Sequence, residues 1–278
     1  MKVLVTGGSG ALGSQVVKAF RNAQIDVVAP SHAEVDLTDA NAVMAMLARY
    51  APTHIVNCAA QRRPDACESK SAEVMALNVL LPERLAQTGL PLVHISTDYV
   101  FNGANAPYNE DAPRRPLNAY GQQKAEAEMR IEDFSNVLIL RVPILFGPIQ
   151  NWSNSAVTVL AANLLKANGS PVLMDDIAIR YPTYTCDIAQ QILRLLPEVG
   201  TRFCGIYHYS GEEPMTKFVM GMIMAHLIGC ATAQCLPDHQ PTKVPRPYDC
   251  HLSTRKLKQT GLFVRPTSFK DAIREVLN

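Results

Sequence analysis

A chain of 278 residues, 47% hydrophobic and 18% charged, can bury a full core as one large α/β domain or two unequal lobes. Its formal charge of +1, with basic and acidic residues interspersed, asks for neither nucleic acid nor a membrane surface. The apolar runs at 137–140 and 218–228 are too short or too interrupted to span a bilayer. Met1-Lys2 leads straight into Val3-Leu-Val5 with no room for a signal peptide, so the expectation is a cytoplasmic protein. The 7 cysteines are scattered, without Cys-x-x-Cys or a histidine pair at ligand spacing, and read as reduced core thiols rather than metal ligands.

Residues 2–6 form a short apolar run, and Gly7-Gly-Ser9-Gly10-Ala11-Leu12-Gly13 follows at once. From Ser14, the positions Val16, Val17 and Phe20 fit one helix face, and 25–29 read as a second strand. In a strand-turn-helix context the first glycine permits the tight turn, the second lets backbone approach a pyrophosphate, and the third lets helix and strand pack closely. A phosphate then sits where free N–H groups and the helix dipole favour an anion. This makes Gly7, Ser9, Gly10, Ala11, Leu12 and Gly13 candidate dinucleotide contacts.

An acid closing the second strand would accept the ribose hydroxyls of NAD, but the strand runs into Pro30-Ser31-His32, with no acid before Glu34. Ser31 and His32 offer donors to a 2′-phosphate, which tilts the cofactor toward NADP(H), with NAD(H) as the alternative. Residues 34–37 read as a third strand that brings Asp36 and Leu37 to the adenine; a helix cap for 39–50 is the competing role of Asp36. Residues 54–60 read as the fourth strand, whose small Ala59 and Ala60 let a cofactor lie against the backbone. Arg62 and Arg63 on the following loop are suited to a phosphate or a partner's carboxylate, a solvated loop being the competing reading. A helix is expected over 73–87, with Asn78 inside it, and a fifth strand over 92–96.

Thr97 then falls at the carboxyl end of a strand, where open α/β sheets bind ligands. It belongs to Ser96-Thr97-Asp98-Tyr99-Val100-Phe101, and Tyr120-Gly-Gln-Gln-Lys124 follows a loop over 102–118 suited to covering a substrate. If 119–131 is helical, Tyr120 and Lys124 share a face. An ammonium beside a phenol favours the phenolate and brings proton exchange toward neutral pH, and the Thr97 hydroxyl can bond a carbonyl or the phenol. That is the equipment of a carbonyl reductase, and it needs a hydride donor. The same spacing also occurs on ordinary exposed helices.

Residues 137–142 make a sixth strand. Alternating strands and helices imply a doubly wound parallel sheet of Rossmann type. From Asn151 the pattern changes: a helix over 155–167, a short strand over 171–174, Arg180-Tyr-Pro-Thr183 leading to a helix ending near 196, and a buried strand over 205–211 returning to the sheet. Residues 216–227 read as helix, 237–247 as loop, and 252–278 as two short helices. The expected division is a nucleotide-binding domain over 1–150, completed by about 184–212, and a smaller, discontinuous α/β substrate lobe from 151–183 and 213–278. Trp152 reads as a packed residue at the lobe junction, and His208 as core rather than ligand.

Together, Thr6-Gly-Gly-Ser-Gly-Ala-Leu-Gly13, the 96–101 run, Pro116-Leu-Asn-Ala-Tyr-Gly-Gln-Gln-Lys124 and Arg141-Val-Pro-Ile-Leu-Phe-Gly147 resemble the extended short-chain dehydrogenase/reductases. Within them the chain is similar to the branch holding dTDP-4-dehydrorhamnose reductase and the regulatory beta subunit of methionine adenosyltransferase, over nearly its whole length. The resemblance implies a catalytic triad of Thr97, Tyr120 and Lys124, with Tyr120 the proton donor and Lys124 also bonding the nicotinamide ribose. It adds Pro143 to the cofactor contacts, and implies substrate contacts from Arg62, Thr97, Asp98, Val100, Arg180 and Arg246. The implied activity is NADPH-dependent reduction of a 4-keto sugar nucleotide or related carbonyl compound.

Cys58-Ala-Ala-Gln-Arg-Arg-Pro-Asp65, Ser155-Ala-Val-Thr-Val159, Arg180-Tyr-Pro-Thr183 and the 208–217 stretch are more similar to the beta subunit. Ile144 stands where the sugar-nucleotide reductases have a tryptophan, and Tyr248-Asp249 departs from the branch after Arg246-Pro247. The chain starts at its first strand and stops at Asn278, without the extensions of the beta subunit, and this favours turnover. The alternative is an NADP-binding regulatory subunit whose partner is a methionine adenosyltransferase catalytic subunit. A homodimer is left open.

Overall fold

Residues 1–278 are described by a computed structural model. Ten strands occur along the chain: β1 Lys2–Thr6, β2 Asp26–Val28, β3 His54–Asn57, β4 Leu92–Thr97, β5 Val137–Val142, β6 Leu145–Phe146, β7 Val172–Asp175, β8 Thr183–Tyr184, β9 Gly205–His208 and β10 Cys235–Asp238. Six of them form one sheet in the order β2-β1-β3-β4-β5-β9, with every pairing parallel. Because β1 lies between β2 and β3, the chain leaves it in both directions, and a crevice opens at the carboxyl ends of β1 and β3. The Gly7 turn and Ala59 stand at that crevice.

Near-continuous apolar runs in β4 and β5 reflect burial on both faces. Side chains alternate across the sheet: Val3, Val5, Leu138 and Leu140 pack with Val16, Phe20, Ile188 and Ile192 of helices Ala11–Asn22 and Thr185–Leu195. On the other face Leu4, Ile55, Val137 and Ile139 pack with Val43, Leu81, Leu85 and Ile131. A separate cluster of Phe146, Leu160, Leu164, Met174, Met220, Met224, Phe269 and Ile273 forms beyond β5, around helices Val159–Ala167, Lys217–Leu227 and Phe269–Leu277. Trp152 is partly buried against this cluster. β9 does return to the sheet, in register with β5 from Leu138↔Gly205 to Arg141↔His208. No helix is long and apolar enough to cross a membrane.

Five expectations are corrected. Residues 34–37 are turns, not a strand, because polar side chains close on nearby backbone. The Glu34 carboxylate accepts from Ser31 N at 2.8 Å and Ser31 Oγ at 2.9 Å, and Asp36 Oδ1 accepts from Thr38 N at 2.9 Å. The cap of helix Ala40–Tyr50 is therefore Asp39, whose carboxylate accepts from Asn41 N at 2.9 Å, and not Asp36.

The helix expected over 73–87 is interrupted by a π turn, Ala76–Leu80, between Ala72–Met75 and Leu81–Ala86. Pro82 has no N–H to give to the carbonyl four residues back and its ring crowds that carbonyl, so the turn widens around Asn78. The helix expected from 155 begins at Val159, after Ser155 Oγ has accepted from Val157 N at 3.2 Å. The loop expected over 237–247 loses its first two residues to β10, Cys235–Asp238. This strand pairs with β7 from Cys235↔Val172 to Asp238↔Asp175, an edge position that tolerates Pro237.

Candidate active site

The glycine turn is shaped by close approach. Gly7 has φ +69°, and a Cβ there would lie 2.7 Å from Ala59 N; a Cβ on Gly13 would lie 2.2 Å from Gly7 O. Gly10 caps helix Ala11–Asn22 without a side-chain bond, and the first intrahelical bond runs from Ser14 N to Gly10 O at 3.0 Å. The N–H groups of Ala11, Leu12 and Gly13 thus face out of the helix end, as an anion requires. Ser9 and Gly10 are exposed, whereas the Leu12 side chain is in the core, leaving only its backbone for a ligand. This cradle fits the diphosphate of a dinucleotide. Ser31, His32 and Asp36 are exposed beyond β2 and Leu37 is half-buried, but Glu34 holds the Ser31 hydroxyl, so an acid does stand beside that serine. Ala59 and Ala60 follow β3, and Pro143 is buried after β5.

Thr97 ends β4, and its hydroxyl lies between Asp98 and Tyr120. It donates to Asp98 Oδ1 at 3.1 Å and accepts from Tyr99 N at 3.2 Å. Tyr120 stands in the first turn of helix Ala119–Ile131, capped by Asn118 Oδ1, which accepts from Gly121 N at 2.9 Å. Burial pushes the Tyr120 phenol well above its ordinary value, while the Thr97 hydrogen bond acts the other way. The group is therefore a protonated donor at neutral pH. Asp98 is pushed up to about 6 by burial, with Arg180 and Thr97 opposing.

Lys124 departs from the sequence expectation. Its Nζ is not paired with the phenol: it lies 2.9 Å from His94 Nε2 and donates to Ile95 O at 2.7 Å. Burial brings it down to about 8, with the Glu128 carboxylate acting the other way.

Cations approach from the far side. The Arg180 guanidinium is 5.6 Å from the centre of the Tyr99 ring and donates to Pro247 O at 2.9 Å. The Tyr99 and Tyr120 rings meet edge to face at 6.1 Å. Arg246 Nη2 pairs with Asp65 Oδ2 at 2.8 Å while its Nη1 is buried without a partner. Lys217 lies among them, lowered by burial and then by the Arg180 charge. Arg62 donates from Nη2 to Asn154 O, tying the loop after β3 to the turn Trp152–Asn154. Burial and Arg63 lower it, and Tyr120 acts in the opposite sense.

Val100 is fully buried with Phe101, Tyr108, Cys250 and Leu252, which leaves only its backbone to offer a substrate. Ile144 is partly buried against the second core cluster. His208 is core, pushed down to about 3 by burial and by Arg141.

The residues missed in the sequence are His94 and Asn57, hidden inside strand patterns, and Lys217, which no motif marks as a site residue. Asn78, inside the π turn, donates to Gln61 O at 3.0 Å and to Gln123 Oε1 at 2.8 Å, fixing the Arg62 loop against the Tyr120 helix.

A glycine turn at the switch point of a six-stranded parallel sheet places the chain among Rossmann-type α/β proteins, with the fold of NAD(P)-dependent oxidoreductases. More narrowly, it belongs to the family described as the RmlD substrate binding domain, which it matches over residues 1–278. Methionine adenosyltransferase 2 subunit beta of Danio rerio is 38% identical over 293 residues, covering 99% of this chain and 90% of that protein. The spore coat polysaccharide biosynthesis protein SpsK of Bacillus subtilis (strain 168) is 31% identical over 284 residues, covering 99% and 96%. A dTDP-4-dehydrorhamnose reductase of Clostridium acetobutylicum superposes with a TM-score of 0.87 at 27% identity, covering 100% of this chain and 98% of that one.

Proposed function

We propose that this protein is an NADP(H)-dependent reductase of a carbonyl compound, a 4-keto sugar nucleotide or a relative of one, with Tyr120 as proton donor. The observation that carries the reading is the Thr97 hydroxyl set against the protonated Tyr120 phenol at the end of β4, one strand from the glycine crevice. A bound reduced nicotinamide supplies the hydride to the carbonyl carbon. Tyr120 gives its proton to the carbonyl oxygen, so the product is a secondary alcohol, and Thr97 orients that oxygen. The backbone of 7–13 holds the cofactor diphosphate, with Ala59, Ala60 and Pro143 beside it. Ser31, His32, Asp36 and Leu37 are proposed for the adenosine end, with NAD(H) accepted less well. Arg62, Asp98, Arg180, Arg246 and Lys217 hold the substrate, and the cations suit its phosphates. In this reading residues 1–150 and about 184–212 serve the cofactor, and 151–183 with 213–278 the substrate. The named functions of the Clostridium reductase and the Bacillus polysaccharide protein support the substrate class.

A second reading, a cofactor-loaded regulatory subunit of a methionine adenosyltransferase, is favoured by the 38% identity to subunits of that name. The test is incubation with NADPH and dTDP-4-keto-6-deoxy-L-mannose, following nicotinamide absorbance, alongside a pull-down with a methionine adenosyltransferase catalytic subunit. Turnover that Tyr120→Phe abolishes supports the first reading; no turnover together with stoichiometric capture of the synthetase replaces it by the second.

A further inference from the structure

Arg246 and Asp65 meet from segments 181 residues apart, and both backbones are tied to the candidate site. Asn118 Nδ2, at the cap of the Tyr120 helix, donates to Pro245 O at 2.9 Å, and Arg180 Nη1 donates to Pro247 O at 2.9 Å, so the residues on either side of Arg246 are held. Asp65 lies in the short helix Pro64–Cys67, whose last residue is fully buried and donates from Sγ to Gln61 O at 3.3 Å. Glu68 follows, and its Oε1 accepts from Ala119 N at 2.9 Å, one residue before Tyr120. Any exchange of partners at Arg246 is therefore made by side chains.

The two side chains are unequal partners. Arg246 is 19% exposed and Asp65 65%. Arg246 Nη2 donates to Asp65 Oδ2 at 2.8 Å, while its Nη1 is buried with no partner. A buried N–H group without an acceptor carries a cost that a ligand can remove. The Asp65 carboxylate keeps most of its water and takes one hydrogen bond from a fork that can give two. Exposed pairs of this kind are weak, so leaving Arg246 costs Asp65 little. An anion that reaches both Nη atoms satisfies the buried one as well, and phosphate oxygens fit that fork. More positive charge stands nearby. Lys217 is lowered by burial and then by the Arg180 charge, with Arg246 acting in the same direction and Asp175 and Asp65 opposing. Withdrawing Asp65 leaves these cations short of a counter-charge, which the phosphates of a ligand restore.

We infer that Asp65 is an internal competitor for Arg246: its carboxylate holds the guanidinium until the diphosphate of a ligand displaces it, so Asp65 sets the affinity for that group without touching it. The exchange discriminates by charge. An anion with a single negative charge replaces one counter-charge by another and gains little, whereas a diphosphate brings more charge than Asp65 takes away. The ligand class rests on the reductase reading, in which the substrate is a sugar nucleotide, but Asp65 has no part in the chemistry. A carboxylate that served only to orient Arg246 would act with the opposite sign, since its removal would weaken binding.

The test reads binding rather than turnover, on the full chain with NADP+ at saturation so that the glycine cradle is filled. The probe is dTDP, which carries the diphosphate without the sugar that reacts, and its Kd is measured by isothermal titration calorimetry. Asp65→Asn keeps the size of an exposed side chain and removes its charge. It is expected to bind dTDP about two- to fivefold more tightly than the parent, the worth of an exposed ion pair no longer competing. In an Arg246→Met background the same substitution changes Kd by less than about 1.5-fold, because no guanidinium is left to compete for. Unchanged or weaker binding in Asp65→Asn overturns the inference. An equal gain in the Arg246→Met background also overturns it, by assigning the effect to the general charge of the loop, and so does failure of dTDP to bind either protein. The reductase reading fails separately: absence of turnover with the gain in dTDP affinity intact removes that reading and keeps the competitor.

Discussion

Arg141 of β5 grips Glu128 of the Tyr120 helix with two hydrogen bonds, Nε to Oε1 at 2.9 Å and Nη2 to Oε2 at 2.7 Å, with both side chains out of reach of solvent. Ser96 Oγ donates to the same carboxylate at 2.5 Å and Arg114 Nε at 2.6 Å, so the strand that ends in Thr97 and the helix that carries Tyr120 in its first turn are joined through one acid. Removing one partner of such a pair strands the other charge without water. Glu128→Gln is expected to lower the unfolding free energy by about 3–5 kcal/mol, read from denaturant midpoints. A loss below about 1 kcal/mol would show that water or a rearranged arginine satisfies the site.

Tyr120→Phe removes the proton donor and keeps the ring that packs on Tyr99. Reduction of the keto sugar nucleotide should fall by about a hundredfold or more, while NADPH affinity stays within about threefold, since the phenol contributes to the chemistry rather than to the diphosphate cradle. Equal turnover in the variant refutes the assigned donor.

Much of this was readable in advance. The glycine spacing after β1, the apolar runs of β4 and β5, and the helix over 119–131 are local signals, and the structure follows them. What failed was non-local or masked by polar chemistry. Nothing in 34–37 announces that Glu34 folds back on Ser31. Pro237 disguises β10, and Pro82 opens a π turn inside an otherwise regular helical pattern. Lys124 was expected at the phenol because the spacing places it on the same face. Its partner His94 sits in an apolar strand, and only the pairing of β3 with β4, Asn57↔His94, brings the two polar side chains together. Pairing register of that kind is not written in either strand alone.

Gly13 tests the cradle. A Cβ there meets Gly7 O at 2.2 Å and Gly7 C at 2.8 Å, both backbone, so neither can swing aside. Gly13→Ala must separate the helix from the turn, at a cost of about 1–3 kcal/mol in stability and with at least about a tenfold weaker NADPH affinity by fluorescence titration. Undiminished binding would place the diphosphate elsewhere.

Lys217 and Arg246 approach the cleft from segments that the Gly7 turn does not touch. If they hold substrate phosphates, Lys217→Met and Arg246→Met each raise KM for the sugar nucleotide by about tenfold to a hundredfold, the worth of a charge-assisted hydrogen bond. Affinity for NADPH should not move. A change in cofactor binding with KM unaltered would reassign both residues.

His208 gives the fold a pH dependence with a defined sign. Its Nδ1 faces Ser253 O at 3.2 Å, an acceptor, so this nitrogen carries the proton; Nε2 at 3.2 Å accepts from Arg141 Nη1. Burial, reinforced by the Arg141 charge, holds the ring down to about 3 from an ordinary 6.5. Between those values the unfolded chain binds a proton that the folded chain refuses, so stability falls as pH drops through that window, by at most about 1.4 kcal/mol per pH unit. Glu128 adds a loss in the same direction at lower pH. Burial would raise its carboxyl, but the bonds from Arg141, Ser96 and Arg114 win and hold it below the usual range, so its contribution goes only as pH falls through that lowered value. His208→Gln can supply the same donor and acceptor without titrating. Urea unfolding at pH 7, 6 and 5 is expected to show a flatter slope in the variant than in the parent, and parallel slopes would mean that His208 takes up a proton inside the folded core.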